Sequence, residues 1–165
     1  MALDFKRGPM IGVIGAGACP AAVEELAAQV GREIARSGGV VVCGGLGGVM
    51  AAAARGAKEG GGFTVGILPG PAIHDANAYI DFPIATNMGH ARNAIIAHTA
   101  DALIAVAGGY GTLSEIALAL KIGKGVVTLR CEFNIAGVRQ AADAREAVRE
   151  ALVMVRASVA RPLMD

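Results

Sequence analysis

The feature that most constrains the fold of this chain is a short apolar run that ends in a glycine-rich turn, and it occurs three times. The runs with their turns occupy residues 10–17, 40–48 and 102–111. Segments with apolar residues at helical spacing lie between them, so strands alternate with helices along the chain. Strands that are apolar along their whole length are typical of a parallel sheet covered by helices on both faces. We therefore predict an α/β fold with a Rossmann-like, doubly wound parallel sheet.

The same alternation extends over the rest of the sequence. We predict strands at residues 10–14, 40–43, 63–68, 79–84, 102–107 and 126–129. Helices are expected from Pro20 to a stop at residues 37–39, over 49–59, 90–100 and 113–122, and from an Asp143 cap to about residue 157. A length of 165 residues without an internal repeat or linker predicts a single domain over residues 1–165.

Composition argues against several classes of function. With 4% aromatic residues, no tryptophan and a net charge of +1, the chain has neither the stacking rings nor the positive field of a nucleic-acid-binding protein. No apolar run of about 18 residues is free of charges and glycine-rich breaks, and residues 1–9 lack a signal-peptide pattern, so neither a membrane span nor secretion is predicted. The three cysteines show no metal-ligand spacing, so we expect reduced thiols, no metal site and a cytoplasmic protein.

The third apolar run predicts an anion-binding site. Its turn consists of Gly108, Gly109, Tyr110, Gly111 and Thr112. Backbone N–H groups at a glycine turn before a helix point at a bound anion, and the helix dipole adds partial positive charge. Glu115 begins the following helix, and Arg92, on the helix before this strand, provides a planar fork for phosphate. We predict that the chain binds a phosphorylated small molecule such as a nucleotide monophosphate; the alternative is that Thr112 only caps the helix and Arg92 is a solvated surface side chain.

The other two turns are expected to reach the same ligand, because doubly wound sheets bind ligands beyond the carboxyl ends of their strands. The candidate residues of these turns are Gly15, Gly17, Gly44, Gly45 and Gly47. The first turn is spaced Gly-x-x-Gly-x-Gly rather than as a dinucleotide fingerprint, so a tight turn without ligand contact is an equal alternative. The second turn lacks the Lys-Ser/Thr ending of a P-loop, so magnesium-dependent ATP hydrolysis is not indicated.

Histidines and apolar helix surfaces give four further expectations. His90 is a candidate pocket residue because of its place in the sequence, whereas His74 and Asp75 are interpreted as a polar loop pair. His98 is interpreted as an interior or interface histidine. The helix over residues 94–100 and the helix after the third turn have more apolar surface than so short a chain can cover, which predicts a homodimer or a higher homo-oligomer.

These motifs together resemble the LOG family of lysine-decarboxylase-like proteins. The resemblance lies in the Gly-Gly-x-Gly-Thr-x-x-Glu element at residues 108–115, in Arg92 upstream of it, in the glycine-rich element at 44–51 and in Gly-Ile-Leu-Pro at 66–69. It implies a Rossmann-like fold and a cytokinin-activating nucleoside 5′-monophosphate phosphoribohydrolase, which cleaves an N-glycosidic bond. It also implies that Arg92 and Glu115 are the catalytic residues, and that the glycine turns hold the 5′-phosphate.

Two positions depart from the pattern of those enzymes, which have proline where this chain has Ala107 and lysine where it has Asn93. At Arg92-Asn93, at Asp101-Ala102 and over residues 112–121 the chain is similar to a sister branch resembling molybdenum-cofactor carrier and DprA/Smf-related proteins. Carrier members of that branch bind a pterin with a terminal phosphate and release it intact. Two hypotheses follow: a carrier of a phosphorylated cofactor such as molybdopterin, or a phosphoribohydrolase, neither with a required cofactor. A DNA-handling protein is a third hypothesis, which the charge balance disfavours.

Overall fold

Residues 8–159 are described by the structure, a computed structural model, and they form a seven-stranded sheet with helices on both faces. The strands are β1 (Met10–Gly15), β2 (Val40–Cys43), β3 (Thr64–Leu68), β4 (Phe82–Ala85), β5 (Ala102–Val106), β6 (Gly125–Leu129) and β7 (Arg139–Gln140). The helices are α1 (Ala21–Arg36), α2 (Val49–Glu59), α3 (Asn93–Thr99), α4 (Tyr110–Lys121) and α5 (Ala144–Val159), and two 3₁₀ turns span Ile73–Asp75 and Gly89–Arg92. The two ends of the predicted domain 1–165, including most of the segment searched for a signal peptide, lie outside the described residues.

The strand order places a topological switch point between β1 and β5. The order is β4-β3-β2-β1-β5-β6-β7, and every neighbouring pair is parallel. The chain builds outwards from β1 to β4 on one side, then crosses back to β5 and builds to β7 on the other. The loops that leave β1 and β5 therefore turn to opposite faces, and a crevice opens between them. This arrangement confirms the predicted doubly wound parallel sheet.

Two apolar clusters fill the space between the sheet and its helices. On one face α1, α2 and α5 cover fully buried side chains that include Val13 and Ile104. On the other face α3 and α4 cover a second cluster that includes Leu103 and Ile116. Because both faces of the central strands are buried, their sequences are apolar without the alternation of a half-exposed strand.

Two glycines bring α1 and α2 into backbone contact. A Cβ atom on Gly31 of α1 would overlap with the carbonyl oxygen of Ala53, and one on Gly56 of α2 would overlap with the carbonyl oxygen of Ala28. Only a residue without a side chain fits at either position. The small residues of these helices therefore set the distance between their axes.

The start of β4 differs from the prediction for a local reason. β4 begins at Phe82 rather than at residue 79. The Asp81 carboxylate accepts hydrogen bonds from the Thr64 backbone N–H at 3.0 Å and from Lys58 Nζ at 2.7 Å. The side chain of Asp81 thus uses the first N–H of β3, and ladder pairing with β4 starts one residue later, at Val65 and Phe82.

The start of α4 also differs, and this difference matters for the site. α4 begins at Tyr110 rather than at residue 113, because Gly109 is its N-cap and accepts the Leu113 N–H at 2.9 Å. The predicted helix over 90–100 divides into the 3₁₀ turn Gly89–Arg92 and α3. The two-residue strand β7 is too short to have left a sequence pattern. The bounds predicted for α2, 49–59, are confirmed.

The predicted cap of α5 is confirmed with one difference. The Glu146 N–H donates to Asp143 Oδ1 at 2.8 Å, as expected for an N-cap aspartate. The Glu146 carboxylate accepts from the Ala142 N–H at 2.7 Å, one residue before the position expected for a capping box.

Three expectations from the sequence concern membrane spans, metal sites and homo-oligomers. Within residues 8–159, no helix combines the length and the apolar character that a membrane span needs. The same residues contain no group of three His, Cys, Asp or Glu side chains that could hold a metal ion. α3 packs on α4, which covers part of the apolar surface of both helices. The homo-oligomer stays a prediction.

Candidate ligand-binding site

A cavity of about 320 Å³ lies at the switch point. The turn after β1, the turn after β2 and the start of α4 all contribute to its wall, as do residues next to α3. Its lining consists of Val13, Ile14, Gly15, Ala16, Gly17, Gly44, Leu46, Met50, His90, Arg92, Asn93, Gly109, Gly111, Thr112 and Glu115. The three turns that the sequence analysis expected to meet in one crevice therefore do so.

The turns after β1 and β2 are packed directly against each other. A Cβ atom on Gly15 would lie 2.6 Å from the Val106 carbonyl oxygen and 2.7 Å from the Val49 methyl groups. The Val49 N–H donates to the Ala16 carbonyl at 3.0 Å, which ties the start of α2 to the first turn. Close packing thus requires glycine at position 15, whatever the cavity binds.

The start of α4 faces the cavity with its backbone exposed. A Cβ atom on Gly109 or on Gly111 would meet no atom within 4 Å. The N-cap residue has no side chain, so no side-chain hydrogen bond caps the first turn of the helix. The first N–H groups of an α-helix have no acceptor within the helix, and the helix dipole adds positive charge there. This part of the wall therefore has the free backbone donors and the partial positive charge that the sequence analysis expected, and anion binding there stays a prediction.

Arg92 is buried at the side of the cavity, with only 9% of the residue exposed. It ends the 3₁₀ turn before α3, and its guanidinium lies beside Gly44, where an added Cβ atom would be 2.5 Å from Nη2. Nη1 donates to the Asn93 Oδ1. Nε is buried and has no hydrogen-bond partner among the described residues. A buried donor without an acceptor costs free energy. An acceptor that entered the cavity could remove that cost by hydrogen bonding to the guanidinium.

Glu115 lies on α4 and lines the same cavity, beside Arg92. It is 6% exposed, and its Oε1 is 3.9 Å from Arg92 Nη1. Burial raises the pKa of Glu115 to about 7, against the opposing effect of Arg92. Burial also lowers the pKa of Arg92, but arginine stays charged near neutral pH. The pair is therefore at the long end of ion-pair distances, and burial opposes the charged form of both side chains.

Cys43 lies at the end of β2, under this pair. Its thiol is fully buried, and burial raises its pKa to about 11. The thiol therefore keeps its proton at neutral pH and is not a nucleophile. All three cysteines that the sequence contains are free thiols, as predicted.

The cavity includes eight of the residues selected from the sequence and omits three. Gly45, Gly47 and Gly108 are absent from the lining. Gly45 and Gly108 have φ values of +74° and +107°, so backbone conformation explains the glycine at both positions. A Cβ atom on Gly108 would also overlap with the Thr112 side chain. Ligand contact by any of the selected residues stays a prediction.

Sequence reasoning missed the apolar part of the wall. The pattern predicts Val13 and Ile14 only as strand residues. Nothing in it distinguishes apolar residues at the end of a strand that line a cavity from those that face the core. Leu46 and Met50 reach the cavity from the second turn and α2. His90 lines the cavity, as hypothesised, whereas His74 and Asp75 are exposed and absent from the lining.

Comparison with known proteins assigns the chain to a family over almost all of its length. A model described as the SLOG cluster4 family matches residues 8–160. An uncharacterised protein of Archaeoglobus fulgidus is 54% identical over 138 residues, which are 84% of this chain and 91% of that protein. The cytokinin riboside 5′-monophosphate phosphoribohydrolase of Mycobacterium tuberculosis is 41% identical over 100 residues. That match covers 56% of this chain and 51% of the enzyme, about half of its length.

Solved structures resemble the whole described fold. The molybdenum cofactor binding protein of Rippkaea orientalis has a TM-score of 0.83 and 34% identity, covering 93% of this chain and 99% of that protein. The molybdenum cofactor carrier protein of Chlamydomonas reinhardtii has a TM-score of 0.82 and 36% identity, covering 91% and 99%. DNA processing protein A of Streptococcus pneumoniae has a TM-score of 0.71 at 18% identity, covers 87% of this chain and 62% of that protein, and shares the fold alone. With the expected Rossmann-like architecture and this family match, the chain belongs to the SLOG cluster4 family, in the LOG-like superfamily of Rossmann-fold proteins.

Proposed function

We propose that this chain binds a phosphorylated heterocyclic small molecule in the cavity and holds it intact, as a carrier of a molybdopterin-type cofactor does. The observation that supports this most directly is the buried guanidinium of Arg92, whose Nε has no partner among the described residues. It lies in the same cavity as an uncapped helix start. A phosphate group would satisfy both, since it accepts several hydrogen bonds and carries negative charge.

The placement of the ligand follows from the chemistry of the wall. The phosphate would lie at Gly109, Gly111 and Thr112, within reach of Arg92, where backbone N–H groups and positive charge meet. The heterocycle would extend towards the apolar side formed by Leu46 and Met50. A volume of about 320 Å³ is at the lower end of the usual range for small-molecule pockets and suits a ligand with one phosphate and one ring system.

Two observations favour a carrier over a hydrolase. The solved carrier structures match this chain over nearly their full length, whereas the phosphoribohydrolase match covers half of that enzyme. Ala107 has a φ of +49°, and its N–H donates to the Leu129 carbonyl at 2.8 Å. Proline fixes φ at about −65° and has no N–H. The loop before α4 therefore follows a path that a proline at this position cannot follow.

Glu115 would act as a hydrogen-bond acceptor for the carried ligand. Glu115 lines the cavity, and an N–H or O–H group of a pterin or a sugar could donate to its carboxylate. Asn93 also differs from the lysine of the enzyme pattern. It accepts from Arg92 without adding charge, so the guanidinium keeps its charge for the ligand.

A phosphoribohydrolase remains the second candidate, and the Arg92–Glu115 pair is the observation that favours it. In that reaction water adds to the ribose carbon as the N-glycosidic bond breaks, the base leaves with a proton, and ribose 5-phosphate remains. A carboxyl group with a pKa of about 7 can take a proton from the water at neutral pH. Arg92 would hold the phosphate in place while the bond opens.

Binding and turnover can be measured on the same samples. Calorimetry with AMP, ribose 5-phosphate and a pterin monophosphate, each against its dephosphorylated form, tests for the phosphate site. Arg92→Met is expected to abolish binding, whereas Arg36→Met, on an exposed and distant side chain, is expected to leave it unchanged. Chromatography of the same mixtures after incubation measures base release. Tight binding without base release supports the carrier; base release that is lost in Glu115→Gln supports the hydrolase; no binding of any phosphate ester refutes both.

A further inference from the structure

The residue before the ligand loop has an unusual backbone conformation. Ala107 directly follows β5 and has a φ of +49°, in the left-handed region that residues with a side chain avoid. Such a conformation costs free energy and persists only where neighbouring contacts hold it. At Ala107 the contacts come from the exit of β6.

Both backbone polar groups of Ala107 are bound by the segment that follows β6. Its N–H donates to the Leu129 carbonyl at 2.8 Å. Its carbonyl accepts from the Cys131 thiol, with Sγ 2.9 Å from the oxygen. Arg130, between these two partners, has a φ of +51°, and this turn brings Cys131 back under the end of β5. Two left-handed residues, each directly after one of two neighbouring strands, thus form one connected unit.

This unit leads directly into the ligand loop. Gly108 continues from Ala107 with a φ of +107°, and Gly109 then caps α4 at the cavity. The conformation at Ala107 therefore sets the direction in which the first N–H groups of α4 point.

We propose that Cys131 is a positioning residue of the ligand site, which holds Ala107 in its left-handed conformation through the hydrogen bond from its thiol. The site consequently depends on a side chain that does not line the cavity. For ligand binding, this inference rests on the proposed function; for the backbone conformation, it stands on the contacts alone.

The chemistry of the thiol suits this role. Cys131 is half-buried, and burial raises its pKa to about 11. The sulfur therefore keeps its proton near neutral pH and can donate it to a carbonyl oxygen. The same protonation makes Cys131 a poor nucleophile, so a reactive role does not compete with the positioning role.

A double-mutant cycle tests the proposal in the intact chain. Cys131→Ala removes the donor, Cys131→Ser keeps one, and Ala107→Gly removes the steric penalty that the donor offsets. The folding equilibrium constant from urea unfolding and the dissociation constant for AMP are measured for each variant. Cys19→Ala, at the other half-buried cysteine, is the control.

We expect Cys131→Ala to lower the folding constant and to weaken AMP binding, each by about three- to tenfold. Cys131→Ser should recover at least half of both losses. In the Ala107→Gly background, Cys131→Ala should change either constant by less than twofold. A serine variant that behaves like the alanine variant, or an equal loss in both backgrounds, overturns the proposal. If the parent chain binds no phosphate ester, the proposed function fails, and the unfolding data still decide the role of Cys131.

Discussion

Gly44→Ala should separate ligand binding from folding. The added Cβ atom would lie 2.5 Å from Arg92 Nη2 and 2.6 Å from Met50 Sδ. Carbon contacts are normally about 3.5 Å or longer, so the guanidinium must move by about 1 Å. Both neighbours are ends of flexible side chains, and Gly44 has no positive φ, so the fold tolerates the change at a cost of less than about 1 kcal/mol.

The displacement should cost affinity instead. A charge-assisted hydrogen bond contributes about 1.5–3 kcal/mol, so its loss weakens binding of a phosphate ester by about ten- to a hundredfold. Calorimetry with AMP measures the affinity, and urea unfolding measures the stability of the same sample. In an Arg92→Met background, Gly44→Ala should have no further effect on binding. Undiminished affinity in the single variant, or an equal loss in both backgrounds, would show that the position of Arg92 does not govern binding.

Three further predictions concern the charge of the site and the packing of the fold. The pKa of Glu115 is raised to about 7 from 4.5, so the folded state binds more protons between these values, and stability should fall by about 3 kcal/mol as the pH rises through this window. Urea unfolding at several pH values should show that slope in the parent chain and a flatter one in Glu115→Gln. Asn93→Asp places a carboxylate on the Arg92 guanidinium and should weaken AMP binding about tenfold by calorimetry, with unchanged affinity counting against the argument. Gly56→Ala pushes a methyl group into the backbone of α1 and should lower the free energy of unfolding in urea by more than about 2 kcal/mol. Gly61→Ala should cost less, because a Cβ there meets nothing within 4 Å and only the left-handed φ of +75° is penalised.

The fold could be predicted from the sequence because β1, β2 and β5 are apolar throughout and each is followed by a turn rich in glycine. Those signals are local, so the alternation and the sheet type could be predicted, and α2 was placed with its observed bounds. The predicted first residues of β4 and α4 were wrong. The Asp81 side chain determines where β4 begins, and the backbone carbonyl of Gly109 determines where α4 begins.

The candidate site could likewise be predicted only in part from the sequence. Arg92 and Glu115 could be selected because a guanidinium and a carboxylate flank one glycine turn, and the topology brings both to the cavity. The glycines were less informative, because Gly45 and Gly108 are needed for backbone conformation and Gly15 for packing. Gly44 and Arg92 are far apart in the sequence and only the fold brings them together, so no local pattern could predict their contact.

The backbone contact between α1 and α2, at Gly31 and Gly56, has a consequence for how a ligand could enter the cavity. The backbones of α1 and α2 prevent each other from sliding. The N-terminal ends of both helices adjoin the first two turns of the cavity wall. We therefore expect that half of the wall to stay fixed. Any widening that admits a molecule of nucleotide size is expected in the opposite half, where α3 and α4 meet and no glycine interlocks their backbones.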